Sequence, residues 1–444
     1  MRSLFVVHKS CYTFINLFII TYSAASVKLF LALPLREYLA LTVFRKTFTI
    51  QSRIPRYITQ KEAVLKPNTF HRITSVLIII TLSFSVLLGG CNPPEQAPSK
   101  TDQPDTGSKT EVTSDYLVIP LTTGAVSPIS ACSYDLLHTV CTIQLFDSTD
   151  YTILNECFAV IDKYEKLFSR TLETSEVYNI NRSSSNSENP QTTFSVSDEL
   201  KDILEFSLSY SKLSDGALDI SIAPLSSLWD FSNLEHKTQA PDAASIAAAK
   251  ELVDYKNITL NGNTLTFSKT GMQLELGAVA KGYIADRVKN FLLSKGVKSA
   301  LINLGGNILL VGEKPDGSAF NVGIQKPFED RDAVVVAISE LKDCSMVSSG
   351  IYERYFYDAD GNFYHHILDA STGYPYDTDL LQVTIISKAS ATGDALSTAC
   401  FALGLKKGME LIHSLTDVYA VFITADGKLH FSDGFLENIP TRTE

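Results

Sequence analysis

The sequence predicts a single α+β domain in which antiparallel-rich sheets are flanked by helices. Short apolar runs with alternating polar residues are joined by Asn-Gly, Asp-Gly and Gly-Gly turns, a pattern that predicts β-hairpins. Apolar residues recur every three or four positions from Tyr151 to Arg170 and from Asp198 to Lys212, which predicts amphipathic helices. We expect this domain to occupy residues 131–444, a length that allows one large domain.

The segment that precedes the domain contains a predicted lipoprotein signal peptide. In residues 71–90, the pair His71-Arg72 is followed by a long apolar run and by two glycines, directly before Cys91. This order is typical of a bacterial signal peptide that ends at a lipidated cysteine. We therefore expect Cys91 to carry the lipid and to anchor the protein at the cell membrane, on the extracytoplasmic face. The alternative is one membrane-spanning helix followed by an incidental cysteine.

Residues 1–70 form an upstream extension for which we expect no fold. A second apolar stretch, Phe14 to Leu33, lies ahead of the signal, although a signal peptide normally begins the chain. We favour a start codon set too far upstream, and a genuine extra membrane segment is the alternative. Residues 91–130 are expected to hold the lipidated cysteine and a disordered tether, because the chain up to about Asp115 is polar and lacks apolar periodicity.

Charge and cysteine usage argue against nucleic-acid binding and against a zinc site. The first 90 residues hold 11 Lys or Arg and 2 Asp or Glu, yet the whole chain has a net charge of −11, so the remainder is strongly acidic. DNA and RNA require a basic surface. None of the seven cysteines forms a CxxC pair. Cys132 and Cys141 could pair in an oxidising compartment, but we expect most cysteines to be buried as small apolar side chains.

The stretch from Leu274 to Gly312 carries the most informative local pattern. It predicts a short strand, Leu-Glu-Leu, then a turn at Gly277, and a helix from about Ala278 that Gly296 ends. Small residues leave the entrance of this helix open, so that its free amides and positive dipole end can bind a phosphate. A tight turn packed on a sheet is the alternative interpretation.

Two charged side chains near this turn are candidate ligand contacts. Lys281 adds a cation one turn into the predicted helix, where it can reach a phosphate. Glu275 precedes the turn and can accept hydrogen bonds from sugar hydroxyls.

Asp394 and Thr398 form a candidate metal site. They are four residues apart at the start of a predicted helix near Gly393, so both side chains point into one place. A carboxylate and a hydroxyl are hard oxygen donors, which suit Mg²⁺, with Mn²⁺ as a second candidate. The alternative is structural: Asp394 caps the helix and Thr398 bonds back to the chain.

Four motifs occur in the order found in the ApbE family of bacterial flavin transferases, which move FMN from FAD onto a threonine of a protein. They are DGALDISIAPLSSLW, LELGAVAKGY, HHILDASTGYP and TGDALSTACFALG. The chain therefore resembles this family from about Ser133 to Pro440. The resemblance implies one flavin-transferase domain with a fold related to T-fold modules.

The resemblance also implies roles for individual residues. The implied FAD contacts are Leu137, Ala217, Leu218, Asp219, Glu275, Lys281 and Leu368. The implied metal ligands are the Ala278 carbonyl, Asp394 and Thr398. His366 matches the histidine of the family, and either His366 or Asp394 takes a proton from the attacking hydroxyl.

Three positions limit this correspondence. His138 stands where the family has glycine in its Met-Gly-Thr motif, and Ala370 stands where proline is usual. For Asp219, an Asx-turn is the alternative to ligand binding.

The function implied by the resemblance is that of an FAD:protein FMN transferase. FAD is the substrate, Mg²⁺ assists, AMP leaves, and FMN becomes attached to an acceptor threonine as a phosphoester. The expected acceptors are flavoproteins of membrane redox complexes, which a lipid anchor would bring onto the same surface. The alternatives are an Mg²⁺-dependent FAD pyrophosphatase and a non-catalytic FAD-binding lipoprotein.

Overall fold

The computed structural model describes residues 20–23, 26–29, 116–122, 127–234, 237–330 and 333–443. The chain divides into two units, residues 1–108 and residues 109–444. In the first unit, strands β1 (Ile20–Ser23) and β2 (Ser26–Leu29) form an antiparallel hairpin. The predicted signal peptide, Cys91 and the tether as far as residue 115 lie outside the described residues.

The second unit contains a nine-stranded antiparallel sheet, two three-stranded sheets and a separate hairpin among its described residues. The strands are β3 (Ile119–Pro120), β4 (Ile129–Ser133), β5 (Cys141–Leu145), β6 (Thr193–Ser195), β7 (Ile258–Asn261), β8 (Thr264–Phe267), β9 (Ala300–Leu304), β10 (Asn307–Val311), β11 (Phe320–Gln325), β12 (Val334–Leu341), β13 (Ser345–Gly350), β14 (Tyr355–Tyr357), β15 (Phe363–His365), β16 (Leu380–Ser387), β17 (Tyr419–Thr424), β18 (Leu429–Phe431) and β19 (Thr441–Thr443). The large sheet has the order β18-β17-β16-β13-β10-β9-β5-β4-β3.

The helices pack mainly against this large sheet and against each other. They are α1 (Tyr151–Phe168), α2 (Glu176–Ser184), α3 (Asp198–Leu213), α4 (Ala223–Trp229), α5 (Ala243–Lys250), α6 (Ala280–Ser294), α7 (Ser390–His413) and α8 (Phe435–Asn438). Short 3-10 turns occupy Leu136–His138 and Tyr255–Asn257. Within the described part of the chain, no helix has both the length and the apolar character needed to cross a bilayer.

The centre of the large sheet is buried on both faces. Successive side chains of a strand point to opposite faces, and the neighbours Leu309 and Leu310 on β10 are both fully buried. Leu309 packs in the cluster formed with α1 and α6, whereas Leu310 packs with β11, β12 and α8 on the other face. Helices α6 and α7 lie side by side against the central strands. Their first turns therefore meet at one edge of the core.

Most predicted elements are confirmed. The predicted α+β class with antiparallel sheets is observed, and Gly305-Gly306 forms the two-residue turn between β9 and β10. Gly296 ends α6 with a positive φ of 83°. The five described cysteines are free thiols and four of them are buried, including Cys132 and Cys141.

Three local predictions are wrong. The alternating pattern from Ser133 to Asp147 predicts one strand, but the 3-10 turn at Leu136–His138 interrupts this segment and joins β4 to β5 in a hairpin. The sequence from Asp219 to Ala223 predicts a strand that Pro224 ends, but residues 219–222 form a turn and Pro224 lies in the first turn of α4. Proline is tolerated there because the first turn of a helix leaves its N–H groups without intrahelical partners.

The predicted strand Leu274–Leu276 is an extended segment outside every sheet. On one side, the side-chain amide of Asn181 bonds both backbone groups of Leu274, at 2.9 and 2.7 Å. On the other side, the N–H of Glu275 donates to the carbonyl of Ile220 at 2.8 Å, and Gln273 forms a single bridge with Ile222. The following helix begins at Ala280, two residues later than predicted, because Gly277 to Val279 form a tight turn first.

Candidate active site

One large cavity, of about 1040 Å³, contains every site residue predicted within the domain. These residues are Leu137, Ala217, Leu218, Asp219, Glu275, Ala278, Lys281, His366, Leu368, Asp394 and Thr398. They come from distant parts of the sequence, so their convergence is a property of the fold. Cys91, the predicted lipidation site, lies outside the described residues.

Asp394 lies on the floor of the cavity with only 3% of its surface exposed. Its Oδ2 accepts a hydrogen bond from the backbone N–H of Gly282 at 2.8 Å, and its Oδ1 lies 3.8 Å from Lys281 Nζ. Burial raises the pKa of Asp394, whereas the charge of Lys281 and the Gly282 bond act in the opposite direction. The carboxylate is therefore held in place while one of its oxygens faces a cation.

The structural alternatives for Asp394 and Thr398 are not observed. Helix α7 begins at Ser390, so Asp394 lies inside the helix and does not cap it. Thr398 Oγ1 lies 3.2 Å from Ser349 Oγ on β13 rather than bonding back along its own helix. Both side chains face the same cavity, as their four-residue spacing predicts.

Helices α6 and α7 cap each other. The carboxylate of Asp286 on α6 accepts hydrogen bonds from the backbone N–H groups of Ser390 and Ala391, both at 2.9 Å. Asp394 on α7 accepts from Gly282 in return. A Cβ atom at Gly282 would overlap the carbonyl oxygen of Ser390, so only glycine allows this approach. Each helix start is thus satisfied by a carboxylate from the other helix.

The donor set fits a hard divalent cation that shares its coordination with a substrate. Asp394 offers an oxygen, Thr398 offers a hydroxyl, and Ala278 lies at the same wall of the cavity. Within the described residues, no cluster of three or more His, Cys, Asp or Glu side chains is arranged to hold a metal by itself. Mg²⁺ commonly takes one or two carboxylates and completes its shell with phosphate oxygens and water. These residues therefore suit Mg²⁺ bound together with a phosphorylated ligand.

Glu275 and Lys281 flank the turn that leads into α6. Glu275 Oε2 forms an ion pair with Arg170, and its Oε1 accepts from the N–H of Gly277 at 2.9 Å. Lys281 Nζ donates to the carbonyl of Gly277 at 3.2 Å. The Glu275 carboxylate is thus already engaged on both oxygens, and only its remaining lone pairs can accept from a sugar hydroxyl.

Asp219 forms the Asx-turn that was the alternative interpretation of this residue. Its Oδ1 accepts from the N–H and the hydroxyl of Ser221 at 2.7 and 2.6 Å, and its Oδ2 accepts from the N–H of Tyr255 at 2.9 Å. Burial raises the pKa of Asp219, while these hydrogen bonds lower it. The carboxylate shapes the loop that carries Ala217 and Leu218 along the cavity wall.

The turn at Leu137 and His138 has an unusual backbone conformation. Both residues have positive φ angles, of 55° and 52°, which cost free energy for residues other than glycine. The N–H of Leu137 donates to the buried Glu165 at 3.0 Å, and His138 Nε2 lies 3.0 Å from Thr171 Oγ1. The family motif has glycine at the position of His138, and this backbone conformation explains that preference. In this chain, two side-chain contacts stabilise the turn instead.

His366 lies at the cavity wall, directly after β15. Its Nδ1 is 3.3 Å from the carbonyl oxygen of Arg354, which can only accept, so Nδ1 carries the proton and Nε2 is left as the basic atom. Burial, together with the charges of Arg354 and His365, lowers the pKa of His366 to about 3. The imidazole is therefore neutral at physiological pH. His365 points away from the cavity, with its Nε2 3.0 Å from the carbonyl of Tyr376.

A sequence model of the ApbE family matches residues 137–423, which include all four motifs and the whole cavity wall. The chain belongs to the ApbE family. The resemblance found in the sequence is thereby confirmed.

Curated relatives in the ApbE family carry one name. The FAD:protein FMN transferase of Klebsiella pneumoniae (strain 342) is 37% identical over 279 residues, which are 62% of this chain and 84% of the relative. The FAD:protein FMN transferase of Treponema pallidum (strain Nichols) is 30% identical over 323 residues, covering 68% and 87% of the two chains.

Solved ApbE structures share the fold. The flavin transferase ApbE from Vibrio cholerae superimposes with a TM-score of 0.60 at 25% identity, covering 72% of this chain and 99% of that one. The ApbE protein from Thermotoga maritima gives a TM-score of 0.60 at 27% identity, with coverage of 72% and 98%. The predicted fold class is confirmed by these neighbours.

Three residues of the site in this ApbE family member, and one that supports it from outside the cavity, are not predicted from the sequence. Arg170 and Arg354 line the cavity, Glu165 holds the Leu137 turn, and Asp286 caps α7. One signal for the helix contact was available, because a small residue precedes an aspartate by four positions at both helix starts, Gly282 to Asp286 and Ser390 to Asp394. The two arginines have no comparable local signal.

Proposed function

We propose that this chain is an FAD:protein FMN transferase that attaches FMN to a threonine hydroxyl of an acceptor flavoprotein. One observation carries the proposal: every residue predicted to bind FAD, cation or proton faces a single cavity of about 1040 Å³. The family supplies the reaction, because the curated relatives bear the name FAD:protein FMN transferase.

The reaction replaces one phosphoester bond by another. The threonine oxygen of the acceptor attacks the phosphorus on the FMN side of the pyrophosphate, and the bond from that phosphorus to the bridging oxygen breaks. AMP leaves with the bridging oxygen, and the hydroxyl proton passes to a base. Positive groups that face the two phosphates stabilise the charge that develops during this transfer.

Lys281 is the residue best suited to bind the pyrophosphate. Its ammonium group lies at the first turn of α6, where the positive end of the helix dipole also attracts an anion. Mg²⁺ at Asp394, Thr398 and the Ala278 carbonyl would neutralise phosphate charge and favour the leaving group when bound. The Gly282 N–H fixes one Asp394 oxygen and leaves the other directed towards Lys281.

His366 is the better candidate for the base. Its Nε2 is free to accept a proton, whereas the Asp394 carboxylate is engaged by Gly282 and lies close to Lys281. A pKa of about 3 makes the imidazole a weak base in the empty cavity. Two phosphate charges beside the ring would raise this pKa and strengthen the base at the moment of transfer.

The proposed setting is the outer face of the cell membrane. The order of residues 71–91 supports a lipid anchor at Cys91, and the polar stretch after it supports a tether. Anchored enzyme and the extracytoplasmic flavoproteins of membrane redox complexes would share one surface, which raises their effective concentration.

The test is a labelling reaction with the full chain in detergent. The protein is incubated with FAD, Mg²⁺ and the purified extracytoplasmic domain of a redox-pump flavoprotein subunit. We expect flavin fluorescence that stays with the acceptor after denaturation, one AMP released per flavin attached, and no labelling when the acceptor threonine is replaced by valine. Free FMN and AMP without labelling would indicate a pyrophosphatase instead, and unchanged FAD would contradict both activities.

A further inference from the structure

The hairpin β14–β15 has two aromatic faces with different environments. Its register pairs Phe356 with Tyr364, and these two rings pack on the buried Trp229. The register also pairs Tyr357 with Phe363, and because strand side chains alternate, these two rings lie on the opposite face. The first face is thus part of the core. On the opposite face, His365 at the base of the hairpin is 5% exposed and packs on Phe401, whereas the rings nearer the turn are less buried.

The turn end of this opposite face is partly uncovered, and Tyr355 and Phe363 on it are half-buried. Tyr357 exposes 57% of its surface, and Phe328, which packs over this face, exposes 47%. The Phe328 ring lies 5.5 Å from the ring of Tyr355 and 6.2 Å from that of Phe363. We call Phe328, Tyr355, Tyr357 and Phe363 the aromatic face. Exposed aromatic clusters of this kind are typical of protein-binding surfaces.

The aromatic face begins at the wall of the active-site cavity. Arg354 directly precedes β14 and His366 directly follows β15, and both line the cavity. The N–H of His366 donates to the carbonyl of Arg354 at 3.1 Å, so this pair closes the base of the hairpin. A polypeptide lying along the hairpin would therefore enter the cavity beside the candidate base.

Arg354 adds a charge to this surface. Its side chain is exposed, and no carboxylate in the described part of the chain forms an ion pair with it. An unpaired guanidinium at the mouth of a cavity can hold a carboxylate of an incoming chain in a bidentate manner.

We propose that the aromatic face is the docking surface for the flavin acceptor, a segment of another polypeptide. Apolar side chains of the acceptor pack on Tyr357 and Phe328, and a carboxylate near its threonine pairs with Arg354. This contact places the threonine hydroxyl at His366. The inference rests on the proposed transferase function, and it assigns the specificity for the acceptor to residues that do not contact FAD.

The test compares the double variant Phe328→Ser, Tyr357→Ser with the control Tyr134→Ser. Tyr134 is 61% exposed and lies outside the cavity lining. With the redox-pump acceptor domain described above, we expect the double variant to raise the acceptor KM at least tenfold. The dissociation constant for FAD and the kcat at saturating acceptor should stay within twofold of the wild-type values, and the control should change none of them.

A charge variant provides an independent measurement. Arg354→Gln should raise the acceptor KM several-fold at low salt, and the difference from wild type should shrink as ionic strength increases. An unchanged acceptor KM in the double variant would overturn the docking proposal while leaving the transferase proposal intact. A double variant that instead loses self-association, seen by sedimentation, would assign the face to a contact between copies and would also overturn it. Failure of the wild type to label the acceptor would refute the transferase proposal itself.

Discussion

The Asp394 carboxylate on α7 accepts a hydrogen bond from the backbone N–H of Gly282 on α6, at 2.8 Å. The two residues are 112 positions apart in sequence, and the contact joins the starts of two adjacent helices. It fixes the orientation of a carboxylate that also faces Lys281. Asp394, to which we assign cation binding, therefore also stabilises the contact between the two helices. Variants must be chosen to separate the chemical role from the structural one.

Replacing Asp394 by asparagine should abolish FAD cleavage without unfolding the protein. The amide can still accept from Gly282, but it lacks the charge that a cation requires. We expect the rate of AMP release to fall at least about 100-fold.

Asp286→Asn is the matched control for that variant. Asp286 makes the reciprocal cap and lies outside the cavity lining. It should lower the free energy of unfolding by about 1 kcal/mol and leave the rate per folded molecule unchanged. Equal losses of activity in both variants would contradict a specific role for Asp394.

Gly282→Ala should destabilise the protein more than the addition of a single methyl group usually does. The new methyl group would overlap the Ser390 carbonyl, which is backbone and cannot rotate away. We expect the free energy of unfolding to fall by about 2 kcal/mol, measured by urea denaturation. Asn290→Ala on the exposed side of α6 should change it by less than about 0.5 kcal/mol. A neutral Gly282→Ala variant would show that the helices can separate freely.

The lowered pKa of His366 predicts a pH dependence of stability. Unfolded histidine titrates near pH 6.5, whereas the pKa of folded His366 is about 3. Between these values the unfolded chain binds a proton that the folded chain does not bind. The contribution of His366 to stability is therefore complete above about pH 6.5 and is lost as the pH falls towards 3. Between pH 7.5 and pH 5, His366→Gln should lose less stability than wild type, and identical losses would contradict the shift.

Replacing His138 by glycine should stabilise the protein. Glycine removes the cost of the positive φ angle of 52°, and the variant loses only the exposed contact with Thr171. We expect a gain of about 0.5–1 kcal/mol in the free energy of unfolding. Thr171→Ala, which removes the same contact together with that between Thr171 and Ser169 (3.2 Å), should instead cost up to about 0.5 kcal/mol. A loss of stability in His138→Gly would mean that the imidazole holds the turn more strongly than its backbone strain opposes it.

Local patterns in the sequence predict the elements well, because hairpins and amphipathic helices depend on neighbours within a few residues. The turn at Gly305-Gly306 and the end of α6 at Gly296 are examples. The Leu274–Leu276 segment shows the limit of this reasoning. Its alternating pattern is that of a strand, but on one side the side chain of Asn181, 93 positions away, takes the place of a strand partner.

In the candidate site, too, local spacing predicts some contacts, and tertiary packing determines the others. The four-residue spacing of Asp394 and Thr398 correctly predicts that they share a cavity. Spacing alone does not reveal that Arg170 pairs with Glu275 or that Ser221 and Tyr255 engage Asp219. These partners lie in loops whose conformation is set by tertiary packing, so a carboxylate that looks available in the sequence can already be satisfied in the fold.

The cavity wall extends along the chain from Leu137 to Thr398. A nascent polypeptide still short of residue 398 lacks the last of these contacts, however well its earlier strands have paired. The complete cavity can therefore bind the dinucleotide only after residue 398 has been synthesised, late in the translation of the chain.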